Sequence, residues 1–247
     1  MSTSDLVSLG CSWTKGVGVS YYDGMTQEEY KSNLSKDCDE YSFRSLLSKR
    51  FGYTNVDLSG KGSSNQRQER RAIEYFTSDI KNSLVIWGIT STARTELWYN
   101  HSGRLENVHF NSKNPLVNNR LKGMGKQPFD TKEYVNKFYN KEYEIERLTN
   151  MMLHWNVFFE NCGIKNYWFD TFNTHEYKKN IPRMLKGDLL TRLTKTGKDH
   201  HSIWKVDCDR IRIAKEKGIV NPISLHPTKR GHTMIADILE KHINEKL

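Results

Sequence analysis

The sequence predicts an α/β domain whose mostly parallel sheet is covered by helices on both faces. Two observations predict it. Short apolar runs that end in small polar residues alternate along the chain with longer stretches of helical periodicity. The most apolar run, Leu84 to Ile89, is strand-sized and reads as a central strand. The chain has 247 residues, enough for one large domain with a sizeable core.

Taken in order, Leu6 to Cys11 reads as a buried strand that ends in the small-residue block Gly10-Cys11-Ser12-Trp13. Thr26 to Arg50 carries Tyr30, Leu34, Tyr41, Phe43, Leu46 and Leu47. It reads as a helix or helix pair closed by Gly52. Tyr53 to Leu58 alternates and runs into the loop Gly60-Lys61-Gly62-Ser63-Ser64-Asn65. Gln66 to Ile80 reads as a helix with Ala72, Ile73 and Phe76 on one face, followed by the Leu84 to Ile89 strand. Residues 99–130, rich in Asn, Lys and Gly, read as an insertion or lid.

Thr131 to Asn161 is the clearest helix. Ile145, Leu148, Met152, Trp155 and Phe159 form one apolar stripe at steps of three and four, read as core packing rather than a cofactor box. Gly163 ends it, and Asn166 to Phe172 reads as a further strand. Residues 173–217 read as a second, irregular and basic insertion, and Gly231 to Leu247 as a closing helix. No internal repeat or linker divides residues 1–247, so one domain is expected.

Composition excludes several classes. Hydrophobic residues are 36% and charged residues 27%, with a mean hydropathy of −0.75. That is polar, but six Trp and twelve Tyr argue against disorder. No apolar stretch approaches the roughly 20 residues of a membrane-spanning helix. Cys11, Cys38, Cys162 and Cys208 form no zinc-ligand spacing and are too sparse for a disulfide scaffold, so reduced thiols are expected. No signal peptide is visible, and a cytoplasmic location is the expectation. The net charge of +9 fits an ordinary basic surface, an acidic substrate or a nucleic acid. Its bases cluster only loosely, at Lys113 to Lys126, Lys178 to Lys198 and Arg210 to Lys217, without a nucleic-acid-binding motif.

Parallel sheets place their sites at the carboxyl ends of strands, so the loops after the first three strands converge on one edge. Ser12 sits on a tight turn there, where a hydroxyl can act as nucleophile and a backbone N–H can serve an oxyanion. A Ser so placed is more often a turn or cap residue. Near the C-terminus, Leu225-His226-Pro227 is followed by Gly231-His232. Pro disfavours helical geometry in the residue before it, which holds His226 in a loop beside a helix start. His232 is expected to pack or cap rather than act as a second base. Gly60-Lys61-Gly62-Ser63 is no phosphate loop, because the upstream Gly such a loop requires is Asn55. Gly16-Val17-Gly18 is too short a pattern to assign.

Together these blocks resemble the SGNH hydrolases, also called GDSL-type esterases and lipases. Gly10-Cys11-Ser12 resembles the family's nucleophile block. Gly62 within Gly62-Ser63-Ser64-Asn65 resembles its oxyanion Gly block. His226, Pro227, Gly231 and His232 resemble its C-terminal block. The resemblance spans nearly the whole chain and implies a three-layer α/β/α, flavodoxin-like sandwich. It also implies a serine-dependent ester hydrolase needing no metal or organic cofactor, with Ser12 as nucleophile and His226 as base. The short, Asn- and Lys-rich chain also resembles SGNH-like proteins encoded by bacteriophages.

Two departures stand out. The family's third block carries an oxyanion Asn; here Thr90 occupies that position, so Thr90, Ser91 or Asn65 is the expected side-chain donor. The family's Asp sits three residues before the His, where this chain has Ile223. A Ser12–His226 dyad is one consequence; a backbone carbonyl, or Asp207 or Asp209 from elsewhere, is another, with Ser224 and Asn221 as weaker partners. Trp13, Ser91 and Arg94 are candidate substrate contacts, although Arg94 can instead pair with Glu96. The expected partner is an ester-bearing small molecule or an acylated glycan, with carbohydrate deacetylation favoured by analogy. The rival is a non-catalytic module that binds a glycan or anionic polymer.

Overall fold

The computed structural model describes residues 4–34, 36–78, 82–99, 104–109, 137–172, 174–177, 179–195 and 209–246. Four strands, β1 (Asp5–Leu9), β2 (Thr54–Asp57), β3 (Ser83–Ile89) and a later one, β6 (Lys165–Asp170), form one sheet in the order β2-β1-β3-β6. Every pairing in it is parallel. Between β3 and β6 the chain makes a separate antiparallel ribbon, β4 (Arg94–Tyr99) with β5 (Arg104–His109).

The helices are α1 (Ser12–Lys15), α2 (Gln27–Asn33), α3 (Cys38–Tyr41), α4 (Phe43–Phe51), α5 (Asn65–Phe76), α6 (Lys141–Asn161), α7 (Leu189–Thr194), α8 (Asp209–Glu216) and α9 (Lys229–Asn244). Their starts follow from local chemistry. Thr26 and Glu29 form a reciprocal capping box at α2, and the Ser42, Ser64, Asn140, Asp188 and Thr228 side chains cap α4, α5, α6, α7 and α9.

Strand side chains alternate between two helical layers, as a period of two requires. Leu6, Leu84, Ile86, Tyr167 and Phe169 share one core with Phe43 and Leu47 of α4 and Ile235, Leu239 and Ile243 of α9. Val7, Leu9, Val85, Trp87, Ile89 and Trp168 share the other with Ala72 and Phe76 of α5 and Met152, Trp155 and Phe159 of α6. The result is helices, sheet, helices, with β1 and β3 at the centre. The apolar stripe of α6 is core, as its spacing indicated. No helix among the described residues is long and apolar enough to cross a membrane.

Several expectations need correction. The segment from Thr26 to Arg50 is three helices, because Ser42 in extended conformation breaks α3 from α4. The insertion expected at 99–130 is preceded and opened by the β4–β5 ribbon, where alternation is obscured by charged residues; residues 110–130 lie outside the described set. The stretch 173–217 is not wholly irregular: it contains α7 and α8. These two are joined by a buried ion pair, Arg210 Nη1 to Asp188 at 3.2 Å, and Arg210 also reaches the Phe172 carbonyl.

Candidate active site

β1 and β3 are neighbours, and β2 lies on the far side of β1, so the strand order reverses at β1. Loops leaving neighbouring strands at such a point separate and open a crevice at their carboxyl ends. Ser12 is at that point, directly after β1. The turn that presents it is tight. A Cβ on Gly10 would lie 1.9 Å from Thr14 Oγ1, so no larger residue fits beneath α1. Lys15 at the end of α1 donates to Asp57 at 2.5 Å, and buried Arg44 reaches the same carboxylate at 3.2 Å. This anchors α1 to the end of β2.

The neighbouring loops are stitched to that turn. Gly60 N–H donates to the Gly10 carbonyl at 3.1 Å. The Asn65 amide spans to the loop after β3, accepting from Thr90 N–H at 3.0 Å and donating to Thr90 O at 3.1 Å. Thr90 is fully buried, and its hydroxyl accepts from Arg94 Nη1 at 2.9 Å. Asn65 and Arg94 also line a cavity of about 260 Å³, together with Gln66, Thr92, Arg147 and Met151.

His226 arrives from the other end of the chain. Its Nε2 lies 2.9 Å from Ser12 Oγ across 214 residues of sequence. The loop that delivers it is closed on itself. Asn221 N–H and Asn221 Nδ2 both donate to the His226 carbonyl at 2.9 Å. Leu225, between Ser224 and His226, adopts a left-handed φ of 60°, an arrangement that costs on the order of 1–2 kcal/mol for a residue with a side chain. The segment Gly16-Val17-Gly18 now has a role. Gly18, at φ +107°, passes so close that a Cβ would sit 2.6 Å from Pro227 O and 2.7 Å from His226 Cβ.

Among the described residues, no carboxylate meets the inner nitrogen of His226. Its Nδ1 lies 2.8 Å from Ser224 Oγ. Ser224 Oγ in turn lies 2.6 Å from the Tyr30 hydroxyl and 3.0 Å from Asn221 Oδ1. Tyr30, in α2, drew notice in the sequence only as an apolar helix position. Burial, together with the positive charges of Arg94 and Lys61, pushes the His226 imidazole down from 6.5 to about 4. The ring is therefore a neutral acceptor at neutral pH. Burial raises the Tyr30 phenol, which stays protonated and able to donate.

The other residues of interest fall into place around this pair. Asp209 pairs with Arg212 on an exposed face of α8, and Asp207 lies outside the described residues. Glu96 pairs with Arg70 at 3.0 Å. Trp13 is not a substrate contact in this fold. It is 2% exposed and packs edge-on against Phe172 with ring centroids 5.3 Å apart. Ser91 Oγ accepts from Ala93 N–H, a local turn contact. His232 is fully buried, stacks on Phe43 and accepts from Phe43 N–H at 3.2 Å.

No protein-family model and no curated protein sequence matches the chain. Solved structures do align with it over nearly its full length at low identity. One is a putative lipolytic protein of the G-D-S-L family from Desulfitobacterium hafniense DCB-2, with TM-score 0.47, 12% identity, 97% of this chain and 99% of that one. A second is an acetyl xylan esterase from the rumen bacterium Butyrivibrio proteoclasticus, with TM-score 0.46, 10% identity, 100% of this chain and 65% of that one. A third is an extracellular lipase from Streptomyces rimosus, with TM-score 0.43, 12% identity, 97% of this chain and 99% of that one.

Proposed function

We propose that the protein is a serine-dependent ester hydrolase. The observation that carries this reading is the 2.9 Å contact between Ser12 Oγ and His226 Nε2 at the carboxyl edge of a parallel sheet. Ser12 Oγ attacks the ester carbonyl carbon, and its proton moves to His226 Nε2. The imidazolium then protonates the departing alkoxide, leaving an acyl group on Ser12. Water, deprotonated by the same nitrogen, attacks the acyl carbonyl and releases the acid. In this reading the backbone N–H groups of Ser12 and Gly62 hold the oxyanion, with a side-chain donor from Thr90 or Asn65. The cavity beside Asn65 and Arg94 is the candidate seat for the remainder of the substrate, with an acylated carbohydrate as the preferred class.

The test is labelling with a fluorophosphonate probe, with hydrolysis of short-chain aryl esters alongside. Labelling that disappears in Ser12→Ala is the expected result. If wild type neither labels at Ser12 nor hydrolyses aryl esters, the hydrolase reading fails. The second reading, a non-catalytic binding module, is favoured by one observation: His226 has a hydroxyl rather than a carboxylate behind it.

A further inference from the structure

We propose that Ser224, held by Tyr30 and Asn221, is the positioning residue for His226, an uncharged hydroxyl acting where an acid is expected. The proposal rests on Ser12 and His226 being the reacting pair, and hydrogen-bond accounting carries it. A serine hydroxyl has one hydrogen and two lone pairs, and Ser224 Oγ has three polar neighbours.

The Asn221 amide fixes the first assignment. Its oxygen accepts from Ser224 N–H at 2.8 Å and its nitrogen donates to the His226 carbonyl at 2.9 Å, so main-chain partners set which way it faces. Asn221 Oδ1 is thus an acceptor, and the Ser224 hydrogen goes to it. Asn221 Nδ2 also donates to the Tyr30 hydroxyl at 3.4 Å, which leaves the phenol hydrogen for Ser224. The remaining Ser224 lone pair accepts Nδ1–H of His226. With its proton on Nδ1, the imidazole presents a bare Nε2 to Ser12, the form a general base requires. All three bonds at Ser224 are then made at once. With the proton on Nε2, the Ser224 hydrogen turns to Nδ1 and the bond to Asn221 is lost.

A hydroxyl orients the ring but brings no negative charge to stabilise an imidazolium. That agrees with the depressed basicity of His226, which burial first, then Arg94 and Lys61, hold low against the raising effect of a hydrogen bond to the Ser224 backbone.

The experiment has two independent readouts on the full-length protein. Nitrogen NMR of the His226 imidazole near pH 7 reports the tautomer, and the rate of fluorophosphonate labelling across pH reports Ser12 reactivity. In wild type, Nδ1 carries the proton. Ser224→Ala is expected to mix the tautomers and slow labelling about tenfold, the worth of one hydrogen bond to a group that gains charge. With an aryl ester the loss falls in kcat, with KM unchanged. Ser224→Thr, which keeps the hydroxyl, restores the tautomer and most of the rate. Tyr30→Phe, which keeps the buried ring, is expected to slow labelling by roughly threefold.

The proposal is overturned if Ser224→Ala leaves the tautomer unchanged, whether or not the rate falls. If wild type does not label at all but Ser224→Ala still changes the tautomer, the positioning role stands and the hydrolase reading is what fails.

Discussion

Two histidines at the same edge of the sheet are held in opposite ways. His226 leans on a neutral hydroxyl, Ser224. His175, just past the end of β6, leans on a carboxylate: its Nδ1 lies 2.7 Å from buried Asp170 Oδ1. Asp170 also accepts from His175 N–H at 3.0 Å and Tyr177 OH at 2.8 Å. Its burial and nearby charge push the Tyr177 phenol well above its ordinary value, so Tyr177 stays a donor. The Asp–His hydrogen bond familiar from hydrolytic triads is thus present in this molecule, but it ties a loop to the end of a strand. Ser12 faces a histidine behind which, among the described residues, a hydroxyl stands in place of an acid. An Asp–His pair is a structural unit in its own right, and what makes a histidine a base is the group facing its other nitrogen.

The largest effect that separates the two is on stability. Asp170→Ala strands two or three buried donors, each costing ~1–3 kcal/mol. It is expected to lower stability by about 3 kcal/mol or more while leaving the pH profile of Ser12 labelling in place. Denaturant unfolding of the two proteins checks this. Should Asp170→Ala shift that pH profile instead, Asp170 belongs to the site and the contrast breaks.

Next is Gly18→Ala. The added Cβ runs into Pro227 O and His226 Cβ at a left-handed position. A loss of ~1–3 kcal/mol is expected from such overpacking, together with slower Ser12 labelling, because the strain falls on the loop that holds His226. Thermal unfolding and labelling rates measure the two effects.

Adding the missing charge sharpens the contrast further. Ser224→Asp places a carboxylate behind His226 and is expected to raise its basicity, moving the acid limb of labelling upward from about pH 4 toward neutrality. An acid limb that stays in place would show that the new carboxylate does not reach Nδ1.

The last contrast is the acid dependence of stability. His226 and His232 are depressed in the folded state from 6.5 to about 4 and about 3. The unfolded chain binds these protons more tightly, so the contribution is complete above about pH 6.5. It is lost as pH falls through that value toward the folded ones, at ~1.4 kcal/mol per pH unit for each histidine. His232→Gln, which keeps an acceptor for Phe43 N–H, is expected to flatten the slope of stability against pH between about 6 and 4.

Much of this architecture was legible in the sequence. β1, β3 and β6 showed as apolar runs, and α6 and α9 as stripes at helical spacing, because burial on defined faces leaves a periodic record. The β4–β5 ribbon left none, since a two-stranded ribbon apart from the main sheet needs no continuous apolar face and its residues mix Arg, Glu and Trp. α7 and α8 were hidden by their shortness and basic surroundings. Ser12 and His226 were legible as a pair through the resemblance of their two blocks to those of the SGNH hydrolases, since each block alone fits an ordinary turn or cap.

The sequence by itself determined the layered α/β core and the two residues that face each other across it. Only the tertiary structure decided what stands behind the histidine. Tyr30 and Ser224 are 194 residues apart and meet within 2.6 Å. Ser224 stands in the sequence as a weak candidate beside His226, and nothing in the chain announces that Tyr30 holds it there. A hydroxyl has no pattern of its own along a sequence, and its role is set by the donors and acceptors that folding brings around it.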